Sequence, residues 1–506
     1  MKIYYNKNNL IEEGGYKVEN KPLKCLFVAS EVAPYAKTGG LADVAGALPK
    51  QLKENGLDVR VVMPYYHQIE NKFFDHASHF LTSFNVRLNW RNQGAGIYYD
   101  DTIIPTYFIK NDAYFYRDEF YGHHDDYERF AFFSKAVLDL LKHIDFQPDI
   151  IHCNDWQTGP IPLLLSEKYK YDPFYKDIKT VFTIHNMKYQ GIFGKEQVLD
   201  VLELSEYYAT SETLEFHGGL SYMKAGLLYC DQINTVSPTY AEEIKTWEYG
   251  CGLNQLLEKK LYGKLCGILN GIDYDKYNPQ TDPHIYKHYD VEHLEDRKVN
   301  KHAFQEEYGL EVKDCMMIGI ISRITDQKGF DLLKQTLEGS WMMDKIMNMD
   351  VQFVLLGTGD EDYENMFKHF SYKYGKRAGI FLTFNESLAQ KIYAASDVFL
   401  MPSAFEPCGL GQLMAMRYGS VPIVRQTGGL KDTVIHYNEE TKEGTGFEFV
   451  DYSGYWLYRK IQEAYNLYME KPEDFKQVQL NAMNTCFSWN HSAKVYEEMY
   501  RKLIES

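Results

Sequence analysis

The chain is short of the features that would place it in several large classes. Its eight cysteines (Cys25, Cys153, Cys230, Cys251, Cys266, Cys315, Cys408 and Cys486) form no Cys-x-x-Cys pair, so neither a zinc site nor a disulfide framework is indicated. Several lie in apolar, strand-like runs, where a free thiol packs as a small hydrophobe. No apolar run approaches the length that crosses a bilayer. Basic residues are outnumbered, with 54 Lys and Arg against 71 Asp and Glu and a formal charge of −17. That balance disfavours nonspecific binding to nucleic acid or to an acidic membrane. It suits a neutral partner, or a small anion held by a few local cations. Residues 1–21 carry Glu12 and Glu13 and no apolar core, so they do not read as a secretory signal. A reducing cytoplasm is the expected location.

What is present is ordinary in bulk and specific in arrangement. A chain of 506 residues is too long for one core and predicts two or more domains. The 42 tyrosines and 29 phenylalanines accompany frequent Lys, Asn and Ile and read as compositional bias. Short β-branched runs alternate with helical stretches in both halves. Strands are expected at Lys24–Ala29, Asp58–Met63, Ile150–His152, Val181–His185, Gln232–Val236, Met316–Ile321, Gln352–Gly357, Val398–Met401 and Val421–Val424. Such alternation implies parallel sheets covered by helices on both faces. Two doubly wound domains fit it better than one long sheet. The turn-rich segment Leu269–Pro279 marks the crossover between them, and a polar helical stretch from about Val291 to Leu310 leads into the second sheet. Ligands of open α/β sheets bind beyond the C-terminal strand ends, and the polar glycine turns fall at those ends. Two such edges facing each other would form an interdomain cleft.

The chemistry is concentrated in those turns. Lys37-Thr-Gly-Gly-Leu-Ala-Asp43 follows the first strand, where a glycine pair before a helix brings backbone N–H groups close to an anion. It matches neither the Walker spacing nor Gly-x-Gly-x-x-Gly. In the second half, Arg323 and Lys328 share one strand-to-helix turn, well placed for a diphosphate. Leu355-Leu-Gly-Thr-Gly-Asp360 is a weaker glycine turn. Met401 to Gly411 leads into another helix, offering an anion pocket around Gly409 and, in Glu406, a carboxylate for sugar hydroxyls. Thr427-Gly-Gly-Leu430 repeats the glycine pair. In the first half His185 stands at a strand end, and His152, Asp155 and Trp156 occupy a similar turn. Tyr121-Gly-His-His-Asp-Asp-Tyr127 holds metal-ligand residue types, but consecutively and without ligand spacing. The sum suits a nucleotide diphosphate with no motif to hydrolyse it.

Together these motifs closely resemble the bacterial glycogen synthases and plant starch synthases, from about Leu23 to the C-terminus. The resemblance rests on an ordered series: Ser30 to Asp43, Phe182-Thr-Ile-His-Asn186, Asn234 to Tyr240, Leu269-Asn-Gly-Ile-Asp273, Ser322 to Gly329, Phe405-Glu-Pro-Cys-Gly-Leu410 and Thr427 to Leu430. It implies the α/β GT-B fold, two doubly wound Rossmann-like domains facing a cleft. The domains implied are an extension at 1–21, an acceptor-side domain at 22–275, a nucleotide-donor domain at 276–488, and a C-terminal helix at 489–506 that packs back on the first domain. The implied reaction is retaining transfer of glucose from ADP-glucose to the nonreducing 4-hydroxyl of an α-1,4-glucan. UDP-glucose or a small-sugar acceptor is the alternative, and an idle glucan-binding protein a further one. Neither a cofactor nor a metal is implied, and no oligomeric state.

Residue roles follow from the resemblance in the same way. His185, Glu406, Arg323, Lys328 and Asp125 are the implied catalytic set. Lys37, Gly39, Gly40 and Asp43 are implied on the first-domain side of the substrate, with Asn186 and Gln190 beside His185. Gly357, Phe384, Cys408, Gly409, Leu410 and Thr427 are implied on the donor side, Phe384 stacking on the nucleobase. Two departures from the family pattern bear on these roles. Asp125-Asp126 replaces Asp-Asn, so the aspartate's role can shift by one position. Phe384 lacks the hydroxyl of the tyrosine some relatives carry, which keeps stacking and removes a hydrogen bond.

Overall fold

A computed structural model describes residues 22–73 and 79–506, with the side chains of 71–73 excepted; the expected extension at 1–21 lies outside the described residues. The first half is built on a nine-stranded sheet. Its spatial order is Leu265–Gly267, Gln232–Thr235, Lys179–Ile184, Ile150–Asn154, Lys24–Val28, Asp58–Pro64, Thr106–Lys110, Arg91–Asp100 and Phe80–Leu88. All neighbours pair parallel up to Thr106–Lys110; the last two strands form an antiparallel hairpin at the edge. The central strands are largely buried, and Ile150–Asn154 is buried at every residue. That is why they appear in the sequence as continuous apolar runs.

The second half holds a six-stranded, wholly parallel sheet in the order Ala378–Phe381, Val351–Leu356, Met316–Ile321, Val398–Met401, Val421–Arg425 and Phe447–Phe449. The nine strands expected from sequence are all present, displaced by at most two residues at either end. The edge hairpin, Thr106–Lys110, Leu265–Gly267, Ala378–Phe381 and Phe447–Phe449 were not expected. Residues of Phe80–Leu88 alternate between exposed and covered, so its composition is too polar to stand out as a strand.

Strand order reverses within the parallel part of each sheet. In the first it reverses between Lys24–Val28 and Ile150–Asn154, and in the second between Met316–Ile321 and Val398–Met401. These topological switch points open a crevice beyond the strand ends, where ligands of such sheets bind. The loops that leave those four strands carry the Lys37, Asp155, Arg323–Lys328 and Glu406 turns.

The chain crosses between halves twice, and the crossings lie side by side. Ile272 N–H donates to Phe487 O at 2.9 Å, and Phe487 N–H to the Tyr274 hydroxyl at 2.9 Å. After the second crossing, the helix Trp489–Glu505 lies on the first sheet. Its Tyr500 hydroxyl is 2.6 Å from His152 Nδ1, and Asn234 Nδ2 donates to its Tyr496 hydroxyl at 3.0 Å. Trp489, Ala493, Tyr496 and Tyr500 are part of the first core. This tethers the last segment of the chain to the domain it left more than two hundred residues earlier.

Candidate active site

The two switch points face each other across a cleft of about 1080 Å³. On the first-domain side, the Lys37 loop leads into the helix Gly40–Glu54. Its anion-binding groups are partly engaged from within. Thr38 N–H and Gly39 N–H donate to Glu31 Oε2 at 2.5 and 3.2 Å, and Thr38 Oγ1 donates to Glu31 Oε1 at 2.6 Å. The Tyr121 hydroxyl donates to the same carboxylate at 2.8 Å. In this structure the Gly39 N–H, expected at a phosphate, donates to a built-in carboxylate. Gly40, the first helical residue, is left to meet a ligand at the helix N-terminus. Glu31 lies within the Ser30–Asp43 motif, but a carboxylate beside an anion loop gives no sequence signal of this role.

Lys37 is paired as well. Its Nζ lies 2.7 Å from Asp43 Oδ1 and 3.8 Å from Glu386 Oε1, which belongs to the second domain. A Cβ on Gly40 would lie 3.7 Å from Leu410 Cδ1, also of the second domain. The two jaws already meet in this structure.

On the second-domain side, Arg323 is exposed and lines the cleft. Among the described residues it has no ion pair and no side-chain hydrogen bond. Lys328 Nζ sits 2.6 Å from Glu406 Oε2, with side-chain exposures of 15% and 9%. Ser403 Oγ donates to the same oxygen at 3.0 Å. Two loops must fit closely to make this pair. Gly329 has φ +76°, and a Cβ there would lie 2.0 Å from Pro402 O, so glycine is required for both its conformation and the approach. Gly357 lines the cleft for a similar reason: its Cβ would lie 1.9 Å from Ser322 O. Phe384 is 73% exposed at the rim. Gly409 and Leu410 line the floor beside Cys408, whose thiol burial pushes up to about 12. Cys408 thus packs as a neutral thiol and is no nucleophile.

His185 is held neutral, because burial lowers its pKa to about 3. Its Nε2 is 2.8 Å from Asn154 Oδ1. Asn154 Nδ2 donates to Val28 O at 3.0 Å, so Oδ1 is the acceptor end and His185 donates Nε2–H to it. Nδ1 remains to accept a hydrogen bond. His185 N–H donates to Asp155 Oδ1 at 2.7 Å, and Asn186 N–H also donates to this carboxylate. Asp155 adopts φ +56°, which is uncommon for a residue with a side chain. Burial raises its pKa to about 7, with the His185 and Asn186 N–H groups opposing the rise.

Asp125 and Thr427 do not join the cleft wall. The Asp125 carboxylate accepts two hydrogen bonds from Arg117, both at 2.6 Å; burial raises its pKa, and this pairing outweighs the rise and holds the carboxyl below its usual range. Asp155 and Asp126 line the cleft instead. Asp126 is buried against Arg129 and accepts from Gly122 N–H at 2.8 Å. Thr427 is fully buried, and its hydroxyl donates to Glu243 Oε1 of the first domain at 3.1 Å, with Gly428 N–H donating there at 3.0 Å. The second glycine-pair helix is therefore capped by a carboxylate of the other domain. Three buried amides complete the lining. Gln157, Gln190 and Asn270 each present a side-chain oxygen that has no hydrogen-bond partner among the described residues.

Comparison with known proteins agrees with this architecture. Residues 24–259 match the family described as starch synthase catalytic domain, and residues 304–479 match glycosyl transferases group 1. The glycogen synthase of Alkaliphilus metalliredigens (strain QYMF) is 49% identical over 485 residues, 95% of this chain and 100% of that one. That of Streptococcus mutans serotype c is 48% identical over 484 residues, again 95% and 100%. Among solved structures, the catalytic domain of starch synthase IV from Arabidopsis thaliana, bound to ADP and acarbose, matches with a TM-score of 0.88 at 33% identity, covering 96% of this chain and 100% of that one. Sucrose-phosphate synthase from Thermosynechococcus elongatus, at 17% identity and a TM-score of 0.60 over 96% of this chain and 99% of its own, shares the fold. With two doubly wound domains around one polar cleft and these relatives along nearly its full length, the chain belongs to the glycogen and starch synthase family of GT-B glycosyltransferases.

Proposed function

We infer that this glycosyltransferase uses ADP-glucose as donor and extends the nonreducing 4-hydroxyl of an α-1,4-glucan with retention. The observation that carries the donor assignment is Arg323, an exposed guanidinium with no ion pair or side-chain hydrogen bond among the described residues, in the same turn as Lys328 and lining the same cleft as the exposed ring of Phe384. A free cation, a paired cation and an aromatic face suit a nucleoside diphosphate. The related starch synthase IV structure holds ADP and acarbose, which supports an adenine nucleotide and a glucan-like ligand here. The cytoplasmic location expected from the sequence belongs to this proposal. No helix among the described residues is long and apolar enough to cross a membrane.

Glu406 is already engaged by Lys328 and Ser403, which supports a same-face reaction over attack by a glutamate nucleophile. The C1–O bond to the distal phosphate breaks while a bond from the acceptor O4 to C1 forms on that face. The departing phosphate oxygen takes the O4 proton, leaving ADP and a glucan one residue longer. Arg323, Lys328 and the Gly40 helix N-terminus stabilise the charge that builds on the leaving group. His185 is neutral and offers Nδ1 to a glucose hydroxyl as an orienting acceptor; a group with a pKa near 3 is a poor general base. Incubation with ADP-glucose or UDP-glucose and a glycogen primer tests the proposal, reading nucleotide release and chain length together. Faster ADP release with longer chains is expected. Transfer confined to UDP-glucose, or to a monosaccharide, would overturn it.

A further inference from the structure

Lys188 Nζ lies 3.2 Å from Asp326 Oδ1 and 3.5 Å from Oδ2, an ion pair that joins the two domains across the cleft. Lys188 is three residues beyond His185, in the loop that leaves Lys179–Ile184. Asp326 stands between Arg323 and Lys328. Both ends are fixed locally. Lys188 N–H donates to Asn186 Oδ1 at 3.0 Å, shaping the loop that carries His185. Asp326 Oδ1 accepts Gln327 N–H at 2.8 Å, and Gln327 Nε2 donates to Phe405 O at 3.1 Å, which ties Asp326 to the Glu406 turn. The pair therefore bridges the loop that carries His185 and the loop that carries Arg323 and Lys328. Its members are 42% and 71% exposed, so neither is a buried structural charge.

We propose that Lys188 and Asp326 are positioning residues that latch the domains shut over the donor and set the distance between His185 and the Lys328–Glu406 pair. The inference rests on the glucosyltransfer reading above. Closure excludes water that would hydrolyse the donor and completes the site, and a latch made of exposed charges weakens as salt screens it. An exposed pair shifts such an equilibrium by a small factor, which suits a gate that must reopen each turnover to release ADP and a polymer.

The test is a charge-swap cycle with Lys188→Glu, Asp326→Lys and the double variant, assayed at low and high salt. Each single variant should lower kcat/KM for the donor several-fold, roughly fivefold for loss of an exposed pair and more where like charges now face each other. The double variant should recover most of that loss. The difference between single and double variants should shrink in high salt. Small-angle scattering without ligand reads closure independently of turnover: the single variants should be more expanded than wild type and the double variant should not. A double variant no better than the combined singles, or single variants as compact as wild type, would overturn the latch. Wild type inactive with ADP-glucose but showing the scattering pattern would count against the donor assignment and leave the latch standing.

Discussion

Lys328 and Glu406, which stand 78 residues apart in the chain, form a 2.6 Å ion pair at the second domain's switch point. Each was expected to act alone, the lysine on phosphate and the glutamate on sugar. Their contact means that the cation facing the leaving group and the carboxylate beside the glucose hold each other in place. Lys328→Ala should lower kcat about 10²–10³-fold, the usual cost of removing one preorganised group that stabilises developing charge. It should also leave Glu406 dependent on Ser403 alone. Steady-state kinetics with a thermal melt separates the two effects; a near-normal kcat would remove Lys328 from the leaving-group role.

Arg323 behaves differently because it has no ion pair or side-chain hydrogen bond among the described residues. Arg323→Ala should leave the melting temperature almost unchanged, as surface substitutions usually do, within about 0.5 kcal/mol. ADP affinity, measured by calorimetry, should fall at least tenfold. A variant that melts early yet binds ADP normally would show a structural arginine.

Asp155 carries the pH dependence. Its carboxyl is raised by burial to about 7, while His185, at about 3, stays neutral throughout the neutral range. The pH profile of kcat/KM should therefore rise through about 7 as Asp155 ionises, and Asp155→Asn should flatten that limb. Stability runs the other way. The unfolded aspartate loses its proton near 4 and the folded one near 7, so the folded state binds more protons in that interval and stability falls as pH rises across it. A profile unchanged by the substitution would assign the ionisation to another group.

Glu31 holds the Lys37 loop from beneath. Glu31→Ala removes three hydrogen bonds to Thr38 and Gly39 and one from Tyr121, each worth about 0.5–1.5 kcal/mol net where water can reach the freed groups. The melting temperature should drop and the donor KM should rise together. Inorganic phosphate or sulfate, filling the vacated position, should restore part of the stability. Stabilisation of wild type by the same anion to the same extent would argue against the assignment.

Phe384 tests base recognition. Stacking contributes about 1–3 kcal/mol per base, so Phe384→Ala should raise the donor KM roughly five- to hundredfold with kcat much less affected. Phe384→Tyr should keep the affinity and alter the ratio of ADP-glucose to UDP-glucose use, since the added hydroxyl can discriminate where a ring face does not. An alanine variant with wild-type KM would place the base elsewhere.

Nine of the parallel strands were legible because they are largely buried and so are apolar along most of their length, whereas the parallel strands Thr106–Lys110, Leu265–Gly267, Ala378–Phe381 and Phe447–Phe449 were not expected. Met316–Ile321 and Val398–Met401 match to the residue. The glycine turns were legible because a turn at a strand end leaves a local composition. The edge hairpin escaped, since half of its side chains face water. Lys37, Arg323, Lys328, His185 and Glu406 could be named because each sits in a turn that the chain itself marks. Their partners could not be. Whether the Lys37 loop meets a phosphate or Glu31, whether Thr427 faces the cleft or Glu243, and which aspartate lines the wall all depend on contacts between segments far apart in sequence. Local spacing fixes the conformation of a turn, whereas the hydrogen-bond partner of a buried charge is fixed by what packing brings within about 3 Å of it. Residue order alone therefore determined the two sheets and the turns that end their strands. Only the tertiary structure decided which of those turns' charges are free to bind a ligand and which are already satisfied by the protein.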